Sequence, residues 1–335
     1  MHFTSILLPS LLASSVNALP QATTPSSSIS AQSFSQKCTS PELRKEWRQL
    51  NAKERKAYTD AVLCLKTKPS RIGLSTSLYD DFPYVHQQVD KEVHFVASFL
   101  PWHRYFLSLY ETALQQQCAY KGLVPYWDWT LDSPRNVSQS PIWSSKTGLG
   151  GNGNPLKTVS LSDGSTRNCV TDGPFKNLKP SYFGSGLDEH CLTRNFNNGT
   201  EQIGDMLAFA YKPDVVAEIQ NLKDYDSYRR RLESGPHGAI HSAVGGDLIP
   251  ATSPNDPVFF LHHAQIDRLW WLWQQKDLKK RNVDFGGNKA QEDFGAEGSS
   301  PRATLNDVMS VRGLAVDVKV RDFMTTQSER LCYRY

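Results

Sequence analysis

Six of the nine histidines in this 335-residue chain fall into two groups of three. His86, His94 and His103 form the first, and His237, His241 and His263 the second. A fold that uses both groups must bring segments more than a hundred residues apart around a shared centre. Imidazole is a borderline-soft ligand that suits copper, zinc, iron and nickel. A nitrogen-only donor set without carboxylate or thiolate, repeated along the chain, points to a coupled pair of copper ions. His237 and His241 stand at i and i+4, so on a helix their side chains share one face about 5–6 Å apart at Cβ, close enough to chelate one ion. A zinc-protease helix has the same spacing but needs a Glu directly after its first histidine. That position is Gly238, which argues against a zinc hydrolase.

Local patterns place most of these histidines on helices. Phe99, Trp102, Phe106, Leu109 and Ala113 recur at helical spacing and predict a helix over 99–117. Pro101 suits its first turn, where a missing N–H costs nothing. His103 therefore lies near the start of a helix with a buried face. His94 sits in a segment too short to assign. Ser234-Gly235-Pro236 reads as the start of the helix bearing His237 and His241. A third helix is expected over 257–276, after the turn Ser253-Pro-Asn-Asp-Pro257, with His263 near its start. Asp267, one turn after His263, is placed to accept a hydrogen bond from an imidazole N–H, the usual way a ligand ring is oriented.

Other features bound the class. Residues 1–19 read as a secretory signal peptide, with a short apolar region and small residues before the cleavage point. Residues 20–37 are rich in Ser, Thr, Pro and Gln and are expected to be a disordered arm. Residues 38–335 then form one large domain. No run approaches the roughly 18 consecutive apolar residues of a membrane span, and a net charge of +3 gives no reason to expect nucleic acid. Six cysteines in an exported chain imply three disulfides, with fifteen possible pairings that spacing alone does not resolve. The sequons at Asn136 and Asn198 fit a glycoprotein. Gly148–Asn154 is glycine-rich but lacks the Gly-Lys-Ser/Thr of a phosphate cradle, and reads as a surface loop. The basic run ending at Arg281 reads as the solvated end of a helix.

Two long motifs carry a family resemblance. The first runs His94-Phe-Val-Ala-Ser-Phe-Leu-Pro-Trp-His103-Arg and continues to Leu107 and Glu111. The second runs Asp256-Pro-Val-Phe-Phe-Leu-His-His263-Ala-Gln-Ile-Asp267-Arg. With the segment Val124-Pro-Tyr-Trp-Asp-Trp-Thr130 they resemble the type 3 copper proteins: tyrosinases, catechol oxidases and molluscan haemocyanins. The likeness spans about residues 38–335 and is strongest to short secreted fungal polyphenol oxidases.

The resemblance implies a mainly α fold, a central four-helix bundle holding a dicopper site, with long loops and few short strands. It implies one copper on His86, His94 and His103 and another on His237, His241 and His263, with His262 outside the ligand set. His190 is then a loop histidine. Many relatives crosslink a cysteine near the second histidine, but positions 87, 88 and 92 are Gln, Gln and Glu, so no such thioether is expected. Glu233 falls where the family's water-holding Glu lies. The Asn that often follows the first histidine of the second copper in monophenol hydroxylases is Gly238 here, and Ile249 is the candidate for screening the first copper. The ending Cys332-Tyr-Arg-Tyr335 resembles the Tyr-x-Tyr that closes the family's catalytic core and pairs with an arginine, for which Arg44 is the candidate. No C-terminal lid domain is expected. The preferred disulfides are Cys38–Cys332, Cys64–Cys118 and Cys169–Cys191, the first joining ends that the family also brings together. The implied activity is oxidation of o-diphenols by dioxygen, with weaker monophenol hydroxylation, in a secreted monomer acting on small phenols without membrane or nucleic-acid partners. An o-aminophenol oxidase or a haemocyanin-like oxygen carrier are the alternatives.

Overall fold

The computed structural model describes residues 38–197, 205–295 and 301–335. The expected signal peptide and arm, and the sequon at Asn198, lie outside these residues. Eight α-helices are present among them: α1 (Ala52–Leu65), α2 (Leu78–Val93), α3 (Phe99–Cys118), α4 (Pro213–Gln220), α5 (Tyr225–Leu232), α6 (Gly238–Val244), α7 (Val258–Gln275) and α8 (Leu278–Arg281). The strands are short and paired in twos, so the fold is mainly α as the sequence implied. No described helix is long and apolar enough to cross a membrane.

Local chemistry sets the helix ends. Reciprocal capping boxes start α1 (Asn51 with Glu54) and α2 (Ser77 with Asp80), satisfying backbone N–H groups that the first turn leaves unpaired. The helix predicted over 99–117 is α3, ended by Ala119 in the left-handed region at φ 53°. The helix predicted over 257–276 is α7. Between α5 and α6 the chain does not simply begin a helix at Ser234: Glu233–His237 form a π-helical turn, broken at Gly235, that joins the two. Wide turns of this kind recur at functional sites because they re-aim side chains.

Helices α2, α3 and α7 pack around an aromatic core. Phe82 meets Phe106, Tyr110 and Phe260 edge-on at 5.3–5.9 Å between centroids, and Tyr110 stacks on Phe260. All four are essentially inaccessible to solvent, and burying each side chain stabilises the fold by about 1.5–3 kcal/mol. The three disulfides are the preferred ones, Cys38–Cys332, Cys64–Cys118 and Cys169–Cys191. The second ties α1 to the end of α3. The first closes the junction where Glu42–Leu43 pairs in parallel with Tyr333–Arg334.

One surface expectation fails, and a second holds for Lys276, Lys279 and Lys280 but not for Arg281. Gly148 and Gly150 are buried, not an exposed loop, because the carbonyls of Leu149, Gly150 and Gly151 accept hydrogen bonds from the buried Arg194 guanidinium. The stretch then enters a hairpin, Gly153–Ser160 against Thr166–Val170. Arg281 ends the short α8 but is itself buried, donating to the carbonyls of Trp273 and Leu222.

Candidate metal centre

His86 lies in α2, His94 caps its C-terminus, and His103 lies in the first turns of α3. His237 ends the π turn, His241 lies in α6, and His262 and His263 lie in α7. The fold gathers them into two clusters whose ligand atoms all fall within 4.8 Å of one another, His86, His94 and His103 in one and His237, His241, His262 and His263 in the other. The clusters face each other: His103 stacks on His263 at 4.4 Å and His94 on His237 at 6.2 Å between ring centroids.

Ring orientation is set by hydrogen bonds at Nδ1. His103 donates to the carbonyl of Phe99, His237 to that of Glu233, and His94 to that of Asp90, in each case the residue four earlier. His94 Nδ1 also lies 2.9 Å from the Asp90 carboxylate. His86 and His241 donate instead to Ala251 and Leu248, both at 2.6 Å, in the turn before α7. An Nδ1 that donates leaves the Nε2 lone pair free. The Nε2 atoms of His86 and His103 approach to 3.3 Å, those of His241 and His263 to 3.4 Å, and His237 Nε2 is buried without a partner. Burial lowers the His86 imidazole to about 3, helped by the neighbouring His94, and lowers His241 to about 4. Desolvation also holds His103, His237 and His263 well below their ordinary value. These are neutral imidazoles with lone pairs aimed at a common space, a donor set that fits copper.

His262 differs. Its Nδ1 accepts the Trp129 indole N–H at 3.2 Å, so in the neutral ring the proton sits on Nε2. That tautomer offers no Nε2 lone pair to an ion.

Asp267 does not orient an imidazole. One of its oxygens accepts from Arg104 Nε at 2.5 Å; the other accepts from Arg44 and from the Tyr333 and Tyr335 hydroxyls. It makes no hydrogen bond to His263, whose Nδ1 is buried without a partner. The expected pairing of Arg44 with the Tyr-x-Tyr ending is present, with the guanidinium 3.7 Å above the Tyr333 ring.

Glu233 is fully buried; its carboxylate accepts from the Phe95 N–H and from Arg229. Desolvation raises its pKa to about 7, against the pull of Arg229 and His94. Gly238 has helical φ/ψ, and a Cβ there would meet only the Glu233 carbonyl oxygen, at 3.5 Å. Ile249 is 59% exposed, between the two residues whose carbonyls hold His241 and His86. His190, read as a loop histidine, is in a loop but wholly buried and paired with Asp247 at 2.8 Å. Sequence reasoning passed over Asp90, whose signal was available at i−4 from His94, and Asp247, which had no local signal.

Residues 76–276 match the family model described as the common central domain of tyrosinase. The chain is 42% identical over 312 residues to a tyrosinase-like protein, phomQ1', of Diaporthe leptostromiformis, covering 90% of this chain and 81% of that one. It is 38% identical over 298 residues to tyrosinase ustQ of Aspergillus flavus, covering 89% and 80%. The fold matches the solved structure of a mutant polyphenol oxidase from Thermothelomyces thermophila with a TM-score of 0.74, 30% identity and 88% of each chain covered.

Proposed function

This chain belongs to the tyrosinase family, and from that premise we propose that it oxidises o-diphenols to o-quinones with dioxygen at a pair of copper ions. The observation that carries the reading is the facing pair of buried histidine clusters with converging Nε2 atoms. His86, His94 and His103 would hold one ion, and His237, His241 and His263 the other. Bound copper supplies a one-electron couple and an open coordination position. Each o-diphenol gives up two electrons and two protons as it becomes the quinone, and two diphenols reduce one dioxygen to two waters.

The protein's part is to keep the imidazoles neutral, fix their rings and limit water. Burial does the first, and the Nδ1 hydrogen bonds do the second. Monophenol hydroxylation needs, in addition, a group that takes the phenol proton. Glu233 is the candidate to hold a water for this, but Gly238 presents no side-chain carbonyl to polarise that water, so diphenols are favoured. Ile249 would screen the approach to the first copper. Three disulfides support secretion.

The test is initial oxygen uptake by the copper-loaded chain on catechol, tyramine and o-aminophenol, with a chelated control. Catechol should be fastest and chelation should abolish the rate. Copper binding without turnover of any phenol would favour an oxygen carrier instead, and tyramine consumed as fast as catechol would refute the role given to Gly238.

A further inference from the structure

We propose that the buried His190–Asp247 pair is a positioning device that orients one copper ligand in each cluster. The inference rests on the dicopper reading above. Three of the six ligands need no outside help, because His94, His103 and His237 donate to a carbonyl four residues back in their own helical segment. His86 and His241 cannot: their acceptors are Ala251 and Leu248, in a turn that belongs to neither ligand's helix. Whatever holds that turn also holds those two rings.

Asp247 immediately precedes Leu248 and is wholly buried. One oxygen receives His190 Nε2 at 2.8 Å and Asn255 Nδ2 at 3.4 Å; the other receives the Thr193 N–H at 2.7 Å and its hydroxyl at 2.9 Å. Asp247 N–H returns a bond to the Thr193 carbonyl. His190 Nδ1 faces the Asp188 carbonyl at 2.5 Å, so both ring nitrogens face acceptors and the ring is fully satisfied only as the imidazolium. Burial opposes that charge most, but Asp247 and Asp188 together hold His190 above its ordinary value.

The backbone is seated just as closely. Gly245 and Gly246 have φ of 67° and 55°, and Cβ atoms there would fall 2.4 Å from the Asn195 carbonyl oxygen and 2.3 Å from that of Thr193. The 190–194 segment is itself fixed to the strand Thr166–Val170. Val170 N–H donates to Leu192, Arg194 N–H to Asn168, and Cys169–Cys191 crosslinks the two. A continuous run of contacts thus leads from the hairpin through His190, Thr193 and Asp247 to the carbonyls at 248 and 251. Burying such a pair is expensive in solvation, so it yields little net stability; a place one residue from a ligand's acceptor gives it a purpose.

Copper retained by the loaded chain, dialysed against graded chelator, tests this. Partners that orient a metal-bound histidine typically change affinity by about 10–100-fold. Asp247→Asn should therefore lose copper at about 10–100-fold lower chelator concentration. The ion on the His241 cluster should leave first, since Leu248 adjoins Asp247. A chain left with one Cu(II) should show the electron-spin-resonance signal of an isolated ion. His190→Leu and Thr193→Val remove one side-chain donor each and should give smaller losses in the same order, deciding the matter if Asp247→Asn does not fold. Folded variants that retain copper like the wild type overturn the proposal. A wild-type chain that binds no copper overturns the dicopper reading as well, so the two failures are distinguishable.

Discussion

Asp267→Asn separates two roles for one carboxylate, and the structure assigns a size to the effect. Two buried guanidinium groups, Arg44 and Arg104, are matched there by two carboxylates, Glu111 and Asp267. Asparagine leaves two cations facing one carboxylate, and its single carbonyl oxygen cannot accept from all of Arg104, Arg44, Tyr333 and Tyr335. Removing one partner of a buried pair typically costs about 3–5 kcal/mol. At roughly 2–4 °C per kcal/mol for a domain above 150 residues, the midpoint should fall by about 6–20 °C. The assay is urea and thermal unfolding of the full chain in excess chelator, so that metal does not enter. The sign with pH is fixed. Burial alone would raise the Asp267 pKa, but Arg104 and Arg44 hold it below the usual carboxylate range. Its contribution is therefore present above about pH 4 and lost as pH falls through the lower folded-state value, so the gap to the variant should narrow in acid. Copper retention by the folded variant should be near normal, because Asp267 touches no imidazole. A loss of copper without a loss of stability would refute this assignment and restore the orienting role expected from the motif.

Three further outcomes follow from single contacts. His263→Ala should lose one copper and the activity, whereas His262→Ala should keep both ions because its ring binds Trp129 through the wrong nitrogen for ligation; metal analysis showing the reverse would exchange the two assignments. A Cβ at position 238 meets nothing closer than the Glu233 carbonyl oxygen at 3.5 Å, and Gly238→Asn should raise the tyramine-to-catechol rate ratio, so an unchanged ratio counts against the water-polarising argument. Burial pushes the Asp81 carboxyl up to about 6, against hydrogen bonds from Ser70 and the Arg71 N–H. The folded chain then holds an extra proton between about pH 4 and 6, and stability should decline as pH rises through that window and stay lower above it. Asp81→Asn should flatten that slope, and a slope identical to the wild type would show that Asp81 is not its source.

What the sequence made legible was what acts over one or two helical turns. The pairing of His237 with His241 and the apolar faces of α3 and α7 are periodic signals, and the structure returns them with ends shifted by a residue. Helix α2 carried an equally local signal that was not read: Ser77 and Asp80 cap it, and Leu78, Tyr79, Phe82, Val85 and Val89 repeat along it despite Pro83. Asp267 shows where local reasoning stops. Its spacing from His263 suits a bond to the ring, but cations contributed by α3 and by the chain's start, 163 and 223 residues away in sequence, compete for the same oxygens and carry full charge. The carboxylate would be charged in either arrangement, but the guanidinium groups add the attraction of full opposite charges, which a neutral imidazole does not offer, so the distant partners win.

The same comparison ranks the proposed ligands by what orients them. His94, His103 and His237 are fixed by carbonyls four residues back in their own segments, so each ring follows from a turn of local chain. His86 and His241 depend on a turn whose position is set by Asp247 and the segment beneath it, and nothing near either histidine announces this. His263 has no acceptor at Nδ1; its ring is held between Phe259 at 4.1 Å and His103 at 4.4 Å, by packing alone. Trimming Phe259 to Leu should therefore free the His263 ring while leaving every hydrogen bond to the other ligands in place. Phe259 also meets the His86 ring edge-on at 5.1 Å, but His86 keeps its bond to Ala251; copper on the second cluster should therefore weaken more than on the first, and equal retention at both would mean that the metal itself, and not the aromatic wall, fixes the His263 ring.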